Sequence, residues 1–289
     1  MNLAESLGYS KDSKLLIIHA DDAGLSSSEN RATRSVLSSG VVNSYSLMAP
    51  CPWFYEMVDF TKKNLHYDHG IHLTFTCEWE TYKFGPVLSP KEVPSLVDEN
   101  GYFFKDRNTF SERAQLEDLR KEMIAQINTV LSFGLKPSHI DCHMYSIGTK
   151  PEFLKLYIEI GRAYQIPVLL NHDMIRHFSE QQVSVTEDDQ EFYIDHVYLG
   201  NWDDFKNGQL TSFYESTLRN LSKGVNLMLL HPAFDDDEMK EITTNHPNFG
   251  SAWRQIDHDY FSSERCKSVL SECGIEQINW RDIQNYIYP

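Results

Sequence analysis

Two adjacent aspartates, Asp21 and Asp22, follow the largely apolar run 15–20 and precede Gly24. The apolar run is typical of a buried strand, and the glycine is typical of a tight turn. Two carboxylates at the end of one strand repel each other unless a proton or a cation intervenes. A solvated helix start would also accommodate aspartates, so the interpretation as a functional site depends on residues further along the chain.

Three later strand-like segments also end in ionisable side chains. These side chains are His72, the alternating set His139, Asp141 and His143, and His231. The carboxyl ends of the strands in a (β/α) barrel lie on one face, which is where active sites form. We therefore expect these side chains to meet around Asp21 and Asp22.

One carboxylate and two imidazoles from different strands, with positions left open for water, are typical of a catalytic metal site. We predict that Asp22, His72 and His143 bind a divalent ion, although His139 and His143 could exchange roles. His139 and Asp141 are otherwise expected to orient the ligands from behind. The type of ion is left open because such a donor set suits several divalent metals.

These residues predict metal-dependent hydrolysis of a carbonyl compound. A divalent metal lowers the pKa of a bound water and polarises a carbonyl oxygen, and Asp21 would take the proton of the water as general base. His231 would protonate an amine leaving group, unless it only ends its strand. Arg254 could pair with Asp21 and hold it ionised, although surface Arg–Asp pairs are common and weak.

Strand-like and helix-like segments alternate along the chain, as expected for repeated βα units. The predicted strands are 14–19, 41–48, 69–75, 137–141, 168–170, 192–197, 226–230 and 276–280. The predicted helices are 26–39, 111–133, 150–164, 203–221 and 262–273. The number of units favours an α/β barrel over an open sheet, and no glycine-rich nucleotide motif follows any strand. The segment 77–107 interrupts the alternation and is predicted to be an inserted loop or lid.

The bulk composition argues against several classes of protein. The formal net charge of −16 argues against nucleic acids and anionic membranes as partners. Five cysteines without a CxxC pair argue against a disulfide framework or a structural zinc site. No apolar run approaches the roughly 20 residues that span a bilayer. No signal peptide follows Met1, which predicts a cytoplasmic protein by default, or a secreted or periplasmic one if a leader was removed.

In order and spacing, four motifs resemble those of the YdjC-like carbohydrate deacetylases, a family that includes chitooligosaccharide deacetylase. The matching segments are 19–25 (HADDAGL), 70–73 (GIHL), 139–143 (HIDCH) and 231–232 (HP). Each motif is weak alone, whereas the ordered set extends over nearly the whole chain. The chain departs from the family after His143, because typical members continue with further histidines where this sequence has 144–147 (MYSI). This departure lies in the expected substrate pocket.

The resemblance implies one domain over 1–289, with a distorted (β/α) TIM-like barrel as its core at about 14–286. It also implies that Asp22, His72 and His143 bind Mg²⁺ or Zn²⁺. The implied activity is the removal of acetyl groups from N-acetylated sugars or oligosaccharides.

Aromatic side chains could contact sugar rings, although they are also ordinary core material. The candidates are Trp79, Tyr82, Tyr145 and Trp253. The aromatic insert favours a sugar substrate over two alternatives: a barrel amidohydrolase acting on a non-sugar amide, and a non-catalytic carbohydrate-binding protein of the same fold. The sequence leaves the oligomeric state open, a homodimer included.

Overall fold

The computed structural model of the protein describes residues 3–171 and 192–289. These residues contain a parallel sheet of seven strands. The strands are Lys14–Ala23 (β1), Ser44–Leu47 (β2), Asp68–Leu73 (β3), Ile140–Cys142 (β4), His196–Leu199 (β5), Gly224–Leu230 (β6) and Glu276–Gln277 (β7). They lie in the order β4-β3-β2-β1-β6-β5, and β7 also pairs with β1.

The sheet curls towards closure through single bridges between its two edges. Val168 forms a parallel bridge with Ile140 in β4, and Asn171 forms one with Ile194, which lies just before β5. The segment 168–170, predicted as a strand, therefore contributes a single isolated bridge, at Val168, instead of a ladder. An α/β fold with a distorted TIM-like barrel results, and the predicted fold class is confirmed.

Strand β1 lies at the centre of the sheet and carries both aspartates. All of its residues except the first are buried, and it pairs with β6 in continuous register as far as Ala20. On the β2 side the register shifts between Ala20 and Ala23. Within this irregularity Asp22 has a φ of +64°, a left-handed conformation that few non-glycine residues adopt. The distortion takes Asp21 and Asp22 out of the regular ladder at the carboxyl end of the strand.

Helices follow most strands, broadly as predicted. They are Leu3–Ser6 (α1), Ser27–Ser39 (α2), Phe54–Lys63 (α3), Arg107–Arg113 (α4), Leu116–Ser132 (α5), Pro151–Tyr164 (α6), Trp202–Lys206 (α7), Leu210–Arg219 (α8), Asp237–Ile242 (α9), Ser251–Phe261 (α10), Glu264–Glu272 (α11) and Trp280–Ile287 (α12). The helix predicted at 111–133 is split because Ala114 has extended backbone angles. The helix predicted at 203–221 is split near Gly208, which has a positive φ. None of the helices in the described ranges combines the length and apolar character needed to cross a bilayer.

Two buried polar side chains of α5 fasten neighbouring segments to the barrel. Gln126 accepts a hydrogen bond from the Thr74 amide at 2.9 Å and donates one to its carbonyl at 2.7 Å, which fixes the chain just after β3. Glu122 accepts a hydrogen bond from the Val87 amide at 2.8 Å. The segment 77–107 is therefore held against the barrel through its backbone.

Gly70 in β3 lies so close to His139 that no side chain fits between them. A Cβ on Gly70 would overlap the His139 ring, which is buried, hydrogen-bonded to Ser138 at 2.8 Å and stacked on Trp280. We expect Gly70→Ala to lower the free energy of unfolding by about 3 kcal/mol, at the upper end of the range for overpacking, as measured by urea denaturation. Gly134→Ala is the control, since its Cβ would meet no atom within 4 Å. There only the left-handed backbone adds a cost, of about 1 kcal/mol, and a loss in Gly70→Ala no larger than this would contradict the prediction.

Candidate active site

Asp22, His72 and His143 converge at the carboxyl end of the barrel, on β1, on β3 and directly after β4. Asp22 Oδ1 lies 3.0 Å from His143 Nδ1 and 3.3 Å from His72 Nε2. The three buried residues offer ligand atoms that all lie within 4.8 Å of one another. A carboxylate and two imidazoles at this spacing can hold a divalent ion.

A second carboxylate supports each imidazole from behind. Asp141 Oδ1 lies 2.7 Å from His72 Nδ1, and Glu78 Oε2 lies 3.0 Å from His143 Nε2. Contacts of this kind commonly support metal-binding histidines, because they fix the ring and raise its basicity. The donor set and its support therefore fit a divalent metal.

His139 lies away from Asp22. The histidine that joins Asp22 and His72 in the cluster is therefore His143. Its Nδ1 is 2.8 Å from the Ser138 hydroxyl, and its Nε2 is 3.8 Å from Asp141 Oδ2. His139 therefore borders the carboxylate that supports His72, and its influence on the ligands is indirect.

Opposite charges overcome the cost of burying these groups. Burial alone would raise the pKa of the Asp22 carboxyl, but His143 and Arg254 hold that pKa well below its usual range. Burial disfavours the charged ring of His143, yet Glu78 and Asp22 raise its pKa to about 9. Since a metal binds the deprotonated imidazole, the binding of a cation here would release protons.

Asp21 lies beside this cluster, between two histidines. Its Oδ1 is 3.1 Å from His19 Nε2, and its Oδ2 is 3.6 Å from His231 Nε2. His19 Nε2 also lies 2.9 Å from Asp141 Oδ2, so His19 bridges Asp21 to the carboxylate that supports His72. Burial opposes the charge on His19, but hydrogen bonds to Asp141 and Asp21 raise its pKa to about 9. A buried positive charge therefore separates the two carboxylates.

Arg254 pairs with Asp22 and not with Asp21, so the predicted pairing is wrong. Its Nη2 lies 2.9 Å from Asp22 Oδ2 and its Nη1 lies 2.6 Å from Glu29 Oε2. Asp22 faces Arg254, whereas Asp21 faces His231. The two adjacent carboxylates have different partners because the backbone of β1 is irregular at this point. The arginine is fully buried. The loss of one partner of this ion pair would therefore cost more free energy than the loss of a partner in a weak surface pair.

His231 directly follows β6 and packs its ring against Phe249 at 5.0 Å. Its amide donates a hydrogen bond to Asp257 Oδ2 at 2.9 Å. Burial, offset in part by Asp22 and Asp21, lowers the pKa of His231 to about 4. The ring is therefore neutral at neutral pH and can accept a proton before it donates one.

The cluster opens into a cavity of about 490 Å³. Its lining combines the charged residues with apolar side chains from the strands and their ends. The apolar residues include Leu169, Val197, Leu199 and Leu229. A cavity of this size with an apolar wall and a few convergent polar groups is typical of a small-molecule site.

Among the four aromatic residues predicted to contact a substrate, Tyr145 lines this cavity. Trp79 and Trp253 are buried in the core. The Tyr82 hydroxyl donates a hydrogen bond to the Leu25 carbonyl at 2.7 Å. Trp79, Tyr82 and Trp253 are thus not among the residues that line this cavity: the two tryptophans lie in the core and Tyr82 is half-buried.

Sequence reasoning missed three buried residues that shape the site, namely His19, Glu29 and Glu78. His19 has a sequence signal, because it interrupts the apolar run just before Asp21. Glu29 is typical of the first turn of a helix, and Glu78 belongs to the segment 77–107. Their contacts arise only when distant parts of the chain meet.

The fold and the cluster define a barrel protein with a metal-type site at the carboxyl ends of its parallel strands. The model of the family described as YdjC-like protein matches residues 15–272, and the chain belongs to this family.

Several relatives match most of the chain. The carbohydrate deacetylase of Clostridium beijerinckii is 28% identical over 269 residues, which are 93% of this chain and 99% of the relative. The chitooligosaccharide deacetylase of Yersinia enterocolitica is 27% identical over 229 residues, which are 77% of this chain and 83% of the relative. A solved structure from Enterococcus faecalis V583, of a protein named for cellobiose-phosphate cleavage, has a TM-score of 0.76 and 25% identity. It covers 94% of this chain and 99% of that protein.

We expect His19→Leu to destabilise the metal-free protein by about 3–5 kcal/mol near neutral pH, because it leaves Asp21 and Asp141 without their shared cation. The pKa of His19 in the folded protein, about 9, exceeds its ordinary value of 6.5. Its stabilising effect is therefore complete below about pH 6.5 and is lost as the pH rises through about 9. The difference in unfolding free energy between wild type and variant should shrink from about pH 7 to about pH 10. Urea denaturation in the presence of a chelator measures it.

His69→Leu is the matched control for this pH dependence. His69 is also buried, on β3, but burial lowers its pKa to about 4, so the ring is neutral throughout this pH range. The difference between wild type and His69→Leu should therefore stay constant. A difference for His19→Leu that is equally constant would refute the buried positive charge at His19.

Proposed function

We propose that the protein is a metal-dependent deacetylase that removes acetyl groups from N-acetylated sugars or oligosaccharides. The observation that carries the proposal is the convergence of Asp22, His72 and His143 in one cavity, with Asp21 beside them. The names of the relatives support the substrate class. The proposal concerns the hydrolysis of an amide, whose products are acetate and a free amine on the sugar.

Asp22, His72 and His143 would hold the metal ion in this proposal. When bound, a divalent ion supplies Lewis acidity towards the acetyl carbonyl and lowers the pKa of water. Mg²⁺ and Zn²⁺ are both compatible with one carboxylate and two imidazoles. Asp141 and Glu78 keep the two rings oriented through their contacts at 2.7 and 3.0 Å.

Asp21 acts as the general base that takes a proton from the attacking water. Its carboxylate lines the cavity, and the contact with His19 at 3.1 Å fixes its Oδ1. Its Oδ2 is turned towards His231. A base held in position contributes about 10²- to 10⁴-fold to such a reaction.

His231 delivers the proton to the leaving nitrogen. Its pKa of about 4 makes it neutral at the start of the reaction, so it first receives the proton that Asp21 has removed from water. The two groups are 3.6 Å apart, and such contacts often tighten when a substrate is bound. The amine is then expelled in protonated form, and the oxygen of the water remains in acetate.

Arg254 acts through Asp22 and is a positioning residue. Its guanidinium compensates the buried charge of Asp22 and also donates a hydrogen bond to Glu29, whose pKa burial raises well above its usual range although Arg254 opposes the shift. Because it occupies Asp22 Oδ2, it leaves Oδ1 directed at His72 and His143.

We expect Asp21→Asn to reduce acetate release by about 10²- to 10⁴-fold, because an amide cannot accept the proton of water. Metal binding should persist, since Asp22, His72 and His143 are unchanged. Acetate release from N-acetylated mono-, di- and oligosaccharides and the metal content of the purified protein measure the two effects. Asp203→Asn, at an exposed position, is the matched control and should keep the wild-type rate.

Two outcomes of this experiment would count against the proposal at different levels. Undiminished turnover by Asp21→Asn would remove Asp21 as the base but leave the activity intact. Absence of acetate release by the metal-loaded wild type, over the whole sugar panel, would reject the deacetylase itself and favour a binding protein or an amidohydrolase with another substrate.

We expect a chelator to abolish acetate release and an added divalent ion to restore it. His72→Ala and His143→Ala should each lose most of the bound ion, because three donors are needed to hold it. His196→Ala, an exposed histidine on β5, should bind the ion like the wild type. Calorimetric titration with Zn²⁺ and Mg²⁺ measures the affinities, and full activity of the metal-stripped protein would refute the metal dependence.

A further inference from the structure

The imidazole of His231 is not fixed through its second nitrogen. Its Nε2 lies 3.6 Å from Asp21 Oδ2, whereas its Nδ1 is buried and has no hydrogen-bond partner within residues 3–171 and 192–289. In histidines that transfer protons, a partner on the second nitrogen commonly fixes the ring and its tautomer. The position of this ring therefore depends on its packing against Phe249 and on the backbone that carries it.

The backbone of His231 is attached to α10. Pairing of β6 with β1 ends one residue earlier, and the Asp257 carboxylate takes the place of a strand partner, because its Oδ2 accepts a hydrogen bond from the His231 amide at 2.9 Å. The next residue, Pro232, has no amide hydrogen to donate. The Ala233 amide then donates to the Arg254 carbonyl at 3.2 Å. Helix α10 thus holds the chain at the residue that carries the imidazole and again two residues later.

Tyr214 on α8 fixes the other oxygen of Asp257. The Tyr214 hydroxyl donates a hydrogen bond to Asp257 Oδ1 at 2.5 Å, and both side chains are fully buried. Burial raises the pKa of Asp257 to about 7, and the hydrogen bonds from Tyr214 and from the His231 amide oppose this shift. The two donors therefore favour the carboxylate, which accepts at both of its oxygens. Gly200 leaves room for the tyrosine hydroxyl, since a Cβ there would lie 2.9 Å from it.

The same helix also contacts the ligand cluster. Arg254 precedes Asp257 by three residues, so both side chains lie on one face of α10. Arg254 Nη2 lies 2.9 Å from Asp22 Oδ2, while Asp257 holds the His231 amide. One helix face therefore sets the positions of a proposed metal ligand and of the proposed proton donor.

We propose that Asp257 is a positioning residue for proton delivery, and that it aims the imidazole of His231 by holding the backbone amide of that residue. Asp257 is not among the residues that line the cavity, so it acts through His231 and not on the substrate. The role of His231 as donor to the leaving nitrogen rests on the proposed function. The anchoring of its backbone rests on the contacts of Asp257 and Tyr214 alone.

Two acetyl compounds that differ in their leaving group test this role. Water attacks the acetyl carbon of both, but an N-acetylated sugar expels an amine that must be protonated, whereas 4-nitrophenyl acetate expels a phenolate that needs no proton. We expect Asp257→Ala to lower kcat for the sugar by about 10- to 100-fold at nearly unchanged KM, because a misplaced catalytic group costs up to about 10²-fold. Hydrolysis of the ester should change little. The ratio of the two rates should therefore fall, as it should in His231→Ala.

Two further variants test whether the hydrogen bond to the amide is what matters. Asp257→Asn should recover most of the ratio, because the amide oxygen of asparagine can still accept from the His231 amide. Asp259→Asn, at an exposed position of the same helix, should keep the wild-type ratio. An equal loss on both compounds in Asp257→Ala would make Asp257 a purely structural residue and overturn the proposal, and so would an unchanged ratio.

Thermal melting identifies a variant that does not fold. If Asp257→Ala is such a variant, Tyr214→Phe decides the matter, because it removes one of the two hydrogen bonds that hold the carboxylate. The ratio should then fall by about 3- to 10-fold, as the loss of one hydrogen bond allows. An unchanged ratio in this folded variant would overturn the proposal.

NMR titration of the His231 ring separates this proposal from the proposed function, because it needs no turnover. Burial lowers the pKa of His231 to about 4. A ring released from its position in metal-free Asp257→Ala should titrate closer to the ordinary value of about 6.5, whereas the loss of a nearby negative charge alone would lower the pKa further. A raised pKa supports the anchoring even if the wild type releases no acetate, and an unchanged or lower pKa overturns it.

Discussion

Five carboxylates are withdrawn from water at one end of the barrel, and the compensation of their charge organises the site. They are Asp21, Asp22, Glu29, Glu78 and Asp141. Arg254 lies between Asp22 and Glu29, His19 lies between Asp21 and Asp141, and His143 lies between Asp22 and Glu78. Each cationic or imidazole group therefore serves two carboxylates. An unpaired buried charge costs several kcal/mol, so these residues depend on one another and fix the geometry of the whole cluster.

The irregular end of β1 directs the two adjacent aspartates to different partners. In a regular strand, neighbouring side chains would point to opposite faces of the sheet. The register shift after Ala20 and the left-handed conformation of Asp22 instead keep both carboxylates at the cavity. Asp22 meets the two imidazoles and Arg254, while Asp21 remains next to His231. The proposed base and one proposed metal ligand are thus consecutive residues with different ion-pair partners.

The segment 77–107 contributes residues from both of its ends to the cavity lining. Near its start, Glu78 supports His143, and at its end Arg107 reaches the cavity lining. Between these points Glu122 holds its backbone against α5. The three candidate ligands themselves lie on strands or next to them, so this segment borders the cavity without supplying one of the three. Loops on a rigid scaffold often carry specificity in this way.

The amino-acid sequence by itself favoured an α/β barrel and predicted a ligand set of Asp22, His72 and either His143 or His139. The apolar run before Asp21 and Asp22 marks a strand end, His72 lies in a second strand-like segment, and the carboxyl ends of the strands in a barrel meet on one face. Local patterns of this kind can be recognised because each ligand lies at the end of an element. The breaks in the predicted helices at Ala114 and Gly208 were not recognised, since the apolar spacing continues across them.

The tertiary structure alone decided which charged groups meet. The pairing of Arg254 with Asp22 and Glu29 joins residues more than 200 positions apart, and no local pattern encodes such a contact. Whether Trp79 and Trp253 are buried could not be predicted from the sequence either, because aromatic residues occur both in protein cores and in sugar-binding sites. Pairing and burial depend on how distant segments pack, and this is the physical reason why the sequence reveals the reactive groups but not their partners.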